Sequence, residues 1–193
     1  METTVWQTDG WLTGVDWRPS PNFGPRPDGL VTLVVLHNIS LPPGEFGGEC
    51  VEDFFLNRLD AAAHPYFSEI AGLHVSAHFY IRRDGRLVQF VGADQRAWHA
   101  GRSSWQGRGE CNDFSIGIEL EGCDEQHFAA AQYAALWPLL AALRQRYPIT
   151  ALAGHSDIAP GRKTDPGPHF DWAAVRARHP DLALPPEVVA LPK

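Results

Sequence analysis

The sequence predicts a single-domain α/β (α+β) fold in which helices flank a central mixed β-sheet. The chain has 193 residues, close to the length of one domain of about 150 residues. Segments with strand-like and helix-like patterns interleave along the chain, as they do in a sheet covered by helices. A hairpin signal at Asp84-Gly85 adds an antiparallel pair, so we expect the sheet to be mixed.

Composition and charge narrow the classes of function. Hydrophobic residues make up 44% of the chain and charged residues 20%, which allows a substantial core and excludes a disordered or fibrous protein. The 16 basic and 23 acidic residues give a formal net charge of -7, without any block of lysine and arginine. We therefore expect neither nucleic acid nor an anionic membrane as a partner.

The amino terminus and the cysteines predict the compartment. The first residues, METTVWQTDGW, lack the basic flank and the apolar run of a secretory signal. No stretch approaches the roughly 20 apolar residues of a membrane span. Three cysteines without CxxC spacing are too few for a disulfide scaffold. We expect a cytoplasmic protein, and no obligate protein partner is evident.

The chain divides into three regions. Residues 1–30 are rich in proline, glycine and tryptophan and predict an extended N-terminal arm. Residues 31–178 contain the regular elements and form the domain itself. Residues 179–193 are interpreted as a C-terminal tail, and no internal repeat or linker indicates a second domain.

The first elements follow the arm. Residues 31–36 are β-branched and apolar without alternation, which indicates a strand buried on both faces. Residues 39–48 predict a loop, and apolar residues near helical spacing predict a short helix over 49–59. Residues 60–75 are interpreted as irregular.

The middle of the chain supplies the hairpin and an alternating strand. Two strand-like runs make up 77–91, and a glycine-rich loop is expected over 92–113. Residues 114–121 alternate between apolar and polar side chains, which predicts a strand with one buried and one polar face. The polar face carries Ser115, Gly117, Glu119 and Glu121.

The last third begins with the main helix. Alanine and leucine dominate 127–147, which predicts this helix, with a kink at Trp137-Pro138. A short strand is expected over 150–154. A loop to Pro168 follows, and then a short helix that begins near Phe170.

Two places concentrate groups capable of chemistry. His37 lies where a buried strand is expected to end, although a buried histidine satisfied by a backbone carbonyl is the alternative. The segment 154–169, GHSDIAPGRKTDPGPH, restricts its backbone with glycine and proline. It carries His155, Asp157, Lys163, Asp165 and His169. A solvated charged loop is the alternative for this segment.

These groups offer a ligand set for a catalytic metal. Catalytic zinc binds three protein ligands and leaves a fourth position open, and His37, His155 and Asp165 would provide that set. The sequence has no local HExxH or HxxEH motif, so other histidines compete. The competitors are His64, His74, His78, His99, His127 and His169, whereas His179 is a poor candidate.

The alternating strand offers a catalytic carboxylate. Either Glu119 or Glu121 is a candidate because an unpaired carboxylate on a covered strand is costly, and a solvated strand face is the alternative. The thiols of Cys50, Cys111 and Cys123 have no adjacent histidine and are interpreted as core or loop residues. Glycine-rich phosphate-binding motifs are absent.

Five segments carry a resemblance to a known family. They are VVLHNISLPPGEFGGE (34–49), HPYF (64–67), VSAHFYIRRDGRLVQFV (75–91), RAWHAGRSSWQGRGECNDFSIGIELEG (96–122) and GHSDIAPGRKTDPGPHFDW (154–172). From Trp11 to Trp172 the chain resembles the cytoplasmic 1,6-anhydro-N-acetylmuramyl-L-alanine amidases of bacterial cell-wall recycling. They belong to the zinc amidase and peptidoglycan-recognition-protein superfamily. The resemblance implies a peptidoglycan-recognition-protein-like amidase fold, with 31–178 as the zinc amidase domain.

The resemblance also implies roles for individual residues. One Zn²⁺ per chain would be bound by His37, His155 and Asp165. Catalysis would use Glu119 as acid and base and Lys163 to stabilise the oxyanion, and Glu121 would have a supporting role. Substrate contacts would come from Asn38, Tyr66 and Trp98. The substrate would be a 1,6-anhydro-muropeptide, cleaved between its lactyl group and L-alanine.

Two positions depart from the family pattern. His74 and Glu110 stand where many relatives have arginine, which would weaken recognition of the carboxylates of the stem peptide. Two other functions stay open, a broader amidase that acts on intact cell wall and a non-catalytic peptidoglycan-recognition module. Such modules typically lack a metal ligand, whereas this chain retains all three.

Overall fold

A central β-sheet with helices on its faces organises the molecule. The computed structural model describes residues 5–27 and 30–186, within which the chain forms ten strands and five α-helices. The strands are β1 (Asp16–Trp17), β2 (Phe23–Gly24), β3 (Leu33–Ile39), β4 (Phe79–Ile81), β5 (Leu87–Gln89), β6 (Arg96–Ala97), β7 (Ser104–Trp105), β8 (Arg108–Gly109), β9 (Ser115–Glu121) and β10 (Ala151–Gly154). The helices are α1 (Cys50–Phe55), α2 (Pro65–Ile70), α3 (Ala130–Arg146), α4 (His155–Ile158) and α5 (Trp172–Arg178).

Six of the strands form one mixed sheet, as the sequence predicts. Its order is β1-β5-β4-β9-β3-β10. Strands β9 and β10 flank β3 in parallel, and β4 is parallel to β9 but antiparallel to β5. The carboxyl ends of β3, β9 and β10 therefore lie at the same edge. In this register His37 pairs with Glu119 and Leu36 pairs with Gly154, so His155 follows directly beside His37.

Strand β3 is buried on both faces, as its unbroken apolar run predicts. Val34 and Leu36 pack in the main core cluster with the leucines of α3, and Leu33 and Val35 pack on the opposite face of the sheet. Each of these four side chains is 0% exposed. The strand continues to Ile39, beyond its expected end at residue 36, because backbone pairing with β9 extends through the polar residues.

The expectation of a polar face on β9 is wrong. All seven residues of the strand are buried, including its two carboxylates. Internal partners replace water on that face. Glu121 accepts hydrogen bonds from the backbone N–H groups of Gly47 and Arg83, and the ring of His99 covers Gly117. A clean alternation therefore reflects the two sides of the sheet here, without one of them facing solvent.

Two short helices lie where loops were expected. Helix α2 falls within the segment interpreted as irregular, and its start follows from local chemistry. His64 caps it by accepting a hydrogen bond from the backbone N–H of Tyr66, and Pro65 occupies the first turn. Helix α4 begins at His155, directly after β10. The main helix, α3, passes through Pro138 as one element.

The terminal regions contact both edges of the sheet. β1, in the N-terminal arm, pairs with β5, and β2 pairs with β6. At the other edge Ala183 forms a bridge with Ala151. Parts of the expected arm and tail, residues 1–4, 28–29 and 187–193, lie outside the described residues. None of the helices in 5–27 and 30–186 is long and apolar enough to cross a membrane.

Candidate active site

Three candidate metal ligands converge at the carboxyl edge of the sheet. His37 comes from β3, His155 begins α4 after β10, and Asp165 comes from the loop that follows. His37 Nδ1 lies 3.0 Å from His155 Nδ1 and 3.0 Å from Asp165 Oδ2, and His155 Nδ1 lies 3.1 Å from the same oxygen. Within the described part of the chain this is the one group of three or more histidine, cysteine and acidic residues that could hold a metal ion.

The donor set and its spacing fit a tetrahedral metal ion. Bonds of about 2.0–2.1 Å place two tetrahedral ligand atoms roughly 3.3 Å apart, close to the distances in this triangle. The second ring nitrogen of His155, Nε2, faces the backbone carbonyl of Ala100 at 3.0 Å and donates to it. That hydrogen bond leaves Nδ1 with a free lone pair toward the site, the arrangement typical of histidine ligands.

Burial favours the neutral form of His37 and of His99. It lowers the pKa of His37 to about 4, an effect that the neighbouring Asp165 only partly offsets. Burial and the adjacent imidazole of His37 also lower the pKa of His99 well below its usual range. Burial alone would raise the pKa of Asp165, but the contacts with His155 and His37 outweigh it and hold this pKa below its usual range. A neutral imidazole and an ionised carboxylate are the forms of these side chains that bind a cation.

Glu119 lies beside this triangle with one oxygen unpaired. Its side chain is 8% exposed, and Oε2 has no hydrogen-bond partner among the described residues. Burial and the nearby charge of Asp165 raise the pKa of Glu119 well above its usual range, and Lys163 opposes that shift. A buried carboxylate oxygen without a partner is costly and marks a group available for chemistry.

A pocket of about 590 Å³ joins these groups to solvent. His37, His155, Asp165, Glu119 and Lys163 line it, and so do the three expected substrate contacts, Asn38, Tyr66 and Trp98. The two positions that depart from the family pattern, His74 and Glu110, are not among the lining residues.

Two contacts of the site were not anticipated from the sequence, which offered His99 only as a competing metal ligand and did not single out Asp124. His99 lines the pocket, and its Nδ1 lies 2.9 Å from His37 Nε2. Asp124 accepts a hydrogen bond from the Asn38 amide at 2.7 Å and so orients that side chain. Each joins residues far apart in the chain, and no local motif indicates such a pairing.

His78, buried behind His99, makes folding stability sensitive to acid. Its Nδ1 accepts from the backbone N–H of Gly117 at 3.0 Å, so the proton sits on Nε2, which faces the carbonyl of Gln95. Burial, assisted by the charge of Arg26, lowers the pKa of His78 from 6.5 to about 3. The unfolded chain therefore binds more protons between these pH values, and stability falls as the pH drops through that window.

Between pH 6.5 and 4 we expect His78→Gln to lose about 3 kcal/mol less of its free energy of unfolding than the wild type loses. Glutamine keeps a donor and an acceptor but cannot titrate. Urea unfolding at several pH values measures the difference. A variant that weakens the core without removing a titrating group, Leu136→Ala, should lower stability at every pH and keep the wild-type slope. The same slope in His78→Gln would contradict the prediction.

Comparison with known proteins assigns the family. A family model described as N-acetylmuramoyl-L-alanine amidase matches residues 26–168. The 1,6-anhydro-N-acetylmuramyl-L-alanine amidase AmpD of Escherichia coli K12 is 58% identical over 170 residues, which cover 86% of this chain and 93% of that protein.

Solved structures agree with this assignment. The crystal structure of a Se-Met AmpD derivative aligns with a TM-score of 0.85 at 55% identity, covering 90% of this chain and 98% of the other. The amidase AmiD from E. coli, in complex with anhydro-N-acetylmuramic acid-L-Ala-D-gamma-Glu-L-Lys, aligns with a TM-score of 0.58 at 26% identity, covering 94% of this chain and 67% of that chain.

The predicted fold is confirmed as well. Drosophila peptidoglycan recognition protein SA shares the fold at 19% identity, with a TM-score of 0.60 over 90% of this chain and 95% of that chain. The matched family model spans most of the domain, including β3 with His37, β9 with Glu119 and the loop with Asp165. This chain belongs to the N-acetylmuramoyl-L-alanine amidase family.

Proposed function

We propose that this protein hydrolyses the amide bond between the lactyl group of 1,6-anhydro-N-acetylmuramic acid and the L-alanine of the stem peptide. The observation that carries the proposal is the meeting of three metal ligands with an unpaired carboxylate oxygen in one open pocket. The names of the most similar relatives supply the substrate class. Metal-assisted amide hydrolysis uses a bound metal ion and a nearby carboxylate that transfers protons, and these residues could provide both.

The metal in this proposal is one Zn²⁺ per chain, held by His37, His155 and Asp165. Two imidazole nitrogens and one carboxylate oxygen are ligands that zinc prefers in catalytic sites. When bound, zinc would supply a Lewis acid that polarises the scissile carbonyl and acidifies a water molecule. The ligands come from strand β3, the start of helix α4 and the loop that follows α4.

Glu119 is assigned the proton transfers. In its ionised form, Oε2 accepts a proton from the attacking water, and the same oxygen then delivers that proton to the departing nitrogen of L-alanine. Burial raises the pKa of Glu119, which suits the second step because the carboxyl group then holds its proton until the departing nitrogen accepts it. Its other neighbours on β9 leave this oxygen free, since no described group hydrogen-bonds to it.

Lys163 and three pocket residues complete the proposed site. Lys163 lines the same pocket, and its ammonium group would stabilise negative charge as it develops on the carbonyl oxygen. Substrate contacts are assigned to Asn38, Tyr66 and Trp98. Tyr66 is 36% exposed, so its ring is available to a ligand.

We assign the reaction to the cytoplasm, as a step of peptidoglycan recycling. The three cysteines, Cys50, Cys111 and Cys123, are all free thiols. Free thiols persist in a reducing compartment, which supports this assignment.

Product analysis tests the proposal. We expect mass spectrometry to detect free tripeptide and 1,6-anhydro-N-acetylmuramic acid after the purified protein acts on 1,6-anhydro-N-acetylmuramyl tripeptide. A chelator should abolish release, and added Zn²⁺ should restore it, because without the metal the scissile carbonyl loses its Lewis acid. A folded, zinc-loaded protein that releases nothing would overturn the proposal. Faster release of peptide from intact sacculi would replace it with a cell-wall amidase.

A further inference from the structure

A chain of buried hydrogen bonds runs behind the metal ligand His37. His37 Nε2 lies 2.9 Å from His99 Nδ1, and His99 Nε2 lies 3.2 Å from the hydroxyl of Ser115. That hydroxyl donates to the backbone carbonyl of Cys111 at 2.6 Å. All four residues are at most 9% exposed, so water does not compete for these bonds.

The backbone carbonyl of Cys111, at the end of this series of hydrogen bonds, fixes which atom donates in each of them. A backbone carbonyl can only accept, so the proton of the Ser115 hydroxyl points to Cys111. The hydroxyl oxygen then offers its lone pair to His99, whose Nε2 must carry the proton. A neutral imidazole with a proton on Nε2 has a lone pair on Nδ1, which accepts from Nε2–H of His37. The remaining lone pair of His37, on Nδ1, faces His155 and Asp165.

The backbone around His99 also holds the second histidine ligand. Asn112 Oδ1 accepts from the N–H groups of both His99 and Ala100, at 3.1 and 2.8 Å. The carbonyl of Ala100 in turn accepts from His155 Nε2. Gly117 leaves room for the His99 ring, since a Cβ at this position would lie 2.4 Å from its Cγ. One short segment, His99–Ala100, therefore orients both imidazole ligands.

We propose that His99 is a positioning residue, which holds His37 in the tautomer and ring orientation that present Nδ1 to the metal. The proposal deepens the proposed function and rests on it for the identity of the metal. The acceptor for a ligand histidine is usually a carboxylate, a carbonyl or water. Here it is a second imidazole whose own proton is placed by Ser115 and Cys111.

Zinc affinity of two matched variants tests this role. His99→Leu removes the acceptor, and we expect its Zn²⁺ dissociation constant, measured by competition with a chromophoric chelator, to rise about 10–100-fold. His99→Asn is a smaller side chain but places an amide oxygen on Cγ, where the imidazole has Nδ1. We expect this variant to recover most of the lost affinity. Leu140→Ala, a destabilising change in the main core, should leave zinc affinity at the wild-type value.

Ring nitrogen chemical shifts give an independent reading. In two-bond ¹H–¹⁵N spectra of the metal-free protein we expect His99 to carry its proton on Nε2 and to show a lone pair on Nδ1. A proton on Nδ1, or wild-type zinc affinity in His99→Leu, would overturn the positioning role. Neither measurement uses substrate. A protein that shows the leucine–asparagine contrast but cleaves no muropeptide would therefore sink the proposed reaction and retain this inference.

Discussion

Replacement of Glu119 by glutamine is expected to lower kcat on the anhydro-muropeptide by at least about a hundredfold. Glutamine has nearly the same shape as glutamate and fits the buried site on β9, but its amide cannot accept a proton from water at neutral pH. The zinc content should stay at the wild-type value because Glu119 is not one of the three converging ligands. Metal analysis and steady-state kinetics on the same preparation measure both quantities.

A matched change elsewhere separates chemistry from general damage. Glu69→Gln removes an exposed carboxylate from α2 and should keep wild-type kcat and zinc content. Thermal unfolding of Glu119→Gln should show a protein at least as stable as the wild type, because the variant removes the cost of a buried, unpaired carboxylate. Full activity in Glu119→Gln would end the acid-base assignment. Loss of zinc together with activity would instead make Glu119 part of the metal site.

A local sequence pattern predicts an element correctly when the features that form the element lie within a few residues of one another. The apolar run of β3, the hairpin at Asp84-Gly85 and the long helix α3 were anticipated because burial, turn type and helical spacing are all encoded within a few residues. The buried polar face of β9 was not. Its partners come from distant loops: Gly47 contacts Glu121, and His99 contacts Gly117. A short-range sequence pattern cannot predict such contacts.

The candidate site likewise combines features that the local sequence predicts with contacts that it does not. Residue chemistry and the rigid segment around Asp165 indicate a metal ligand set, and the parallel register of β3 and β10 then brings His37 and His155 together. Spacing alone left six competing histidines. One of them, His99, lies against His37 from a position 62 residues away in the chain. Only the folded structure distinguishes a residue that supports a ligand from one that is merely buried.

Replacement of Asp165 by alanine is expected to have the largest effect, since it removes the anionic member of the ligand triangle. Even an outer partner of a metal ligand contributes 10–100-fold to affinity, so loss of a direct ligand should weaken Zn²⁺ binding by more than about a hundredfold. After dialysis we expect substoichiometric zinc and no detectable hydrolysis. Inductively coupled plasma mass spectrometry and the product assay measure the two losses.

The control for Asp165→Ala is an aspartate near the other end of the same loop. Asp171 caps α5 by accepting a hydrogen bond from the backbone N–H of Ala174 at 2.8 Å. Asp171→Ala should cost about 1 kcal/mol of stability and keep both zinc and activity. Stoichiometric zinc in Asp165→Ala would move the third ligand to another residue of the pocket. Weak zinc binding with activity restored by excess Zn²⁺ would instead support Asp165 as the ligand, because its loss would then act only through occupancy of the site.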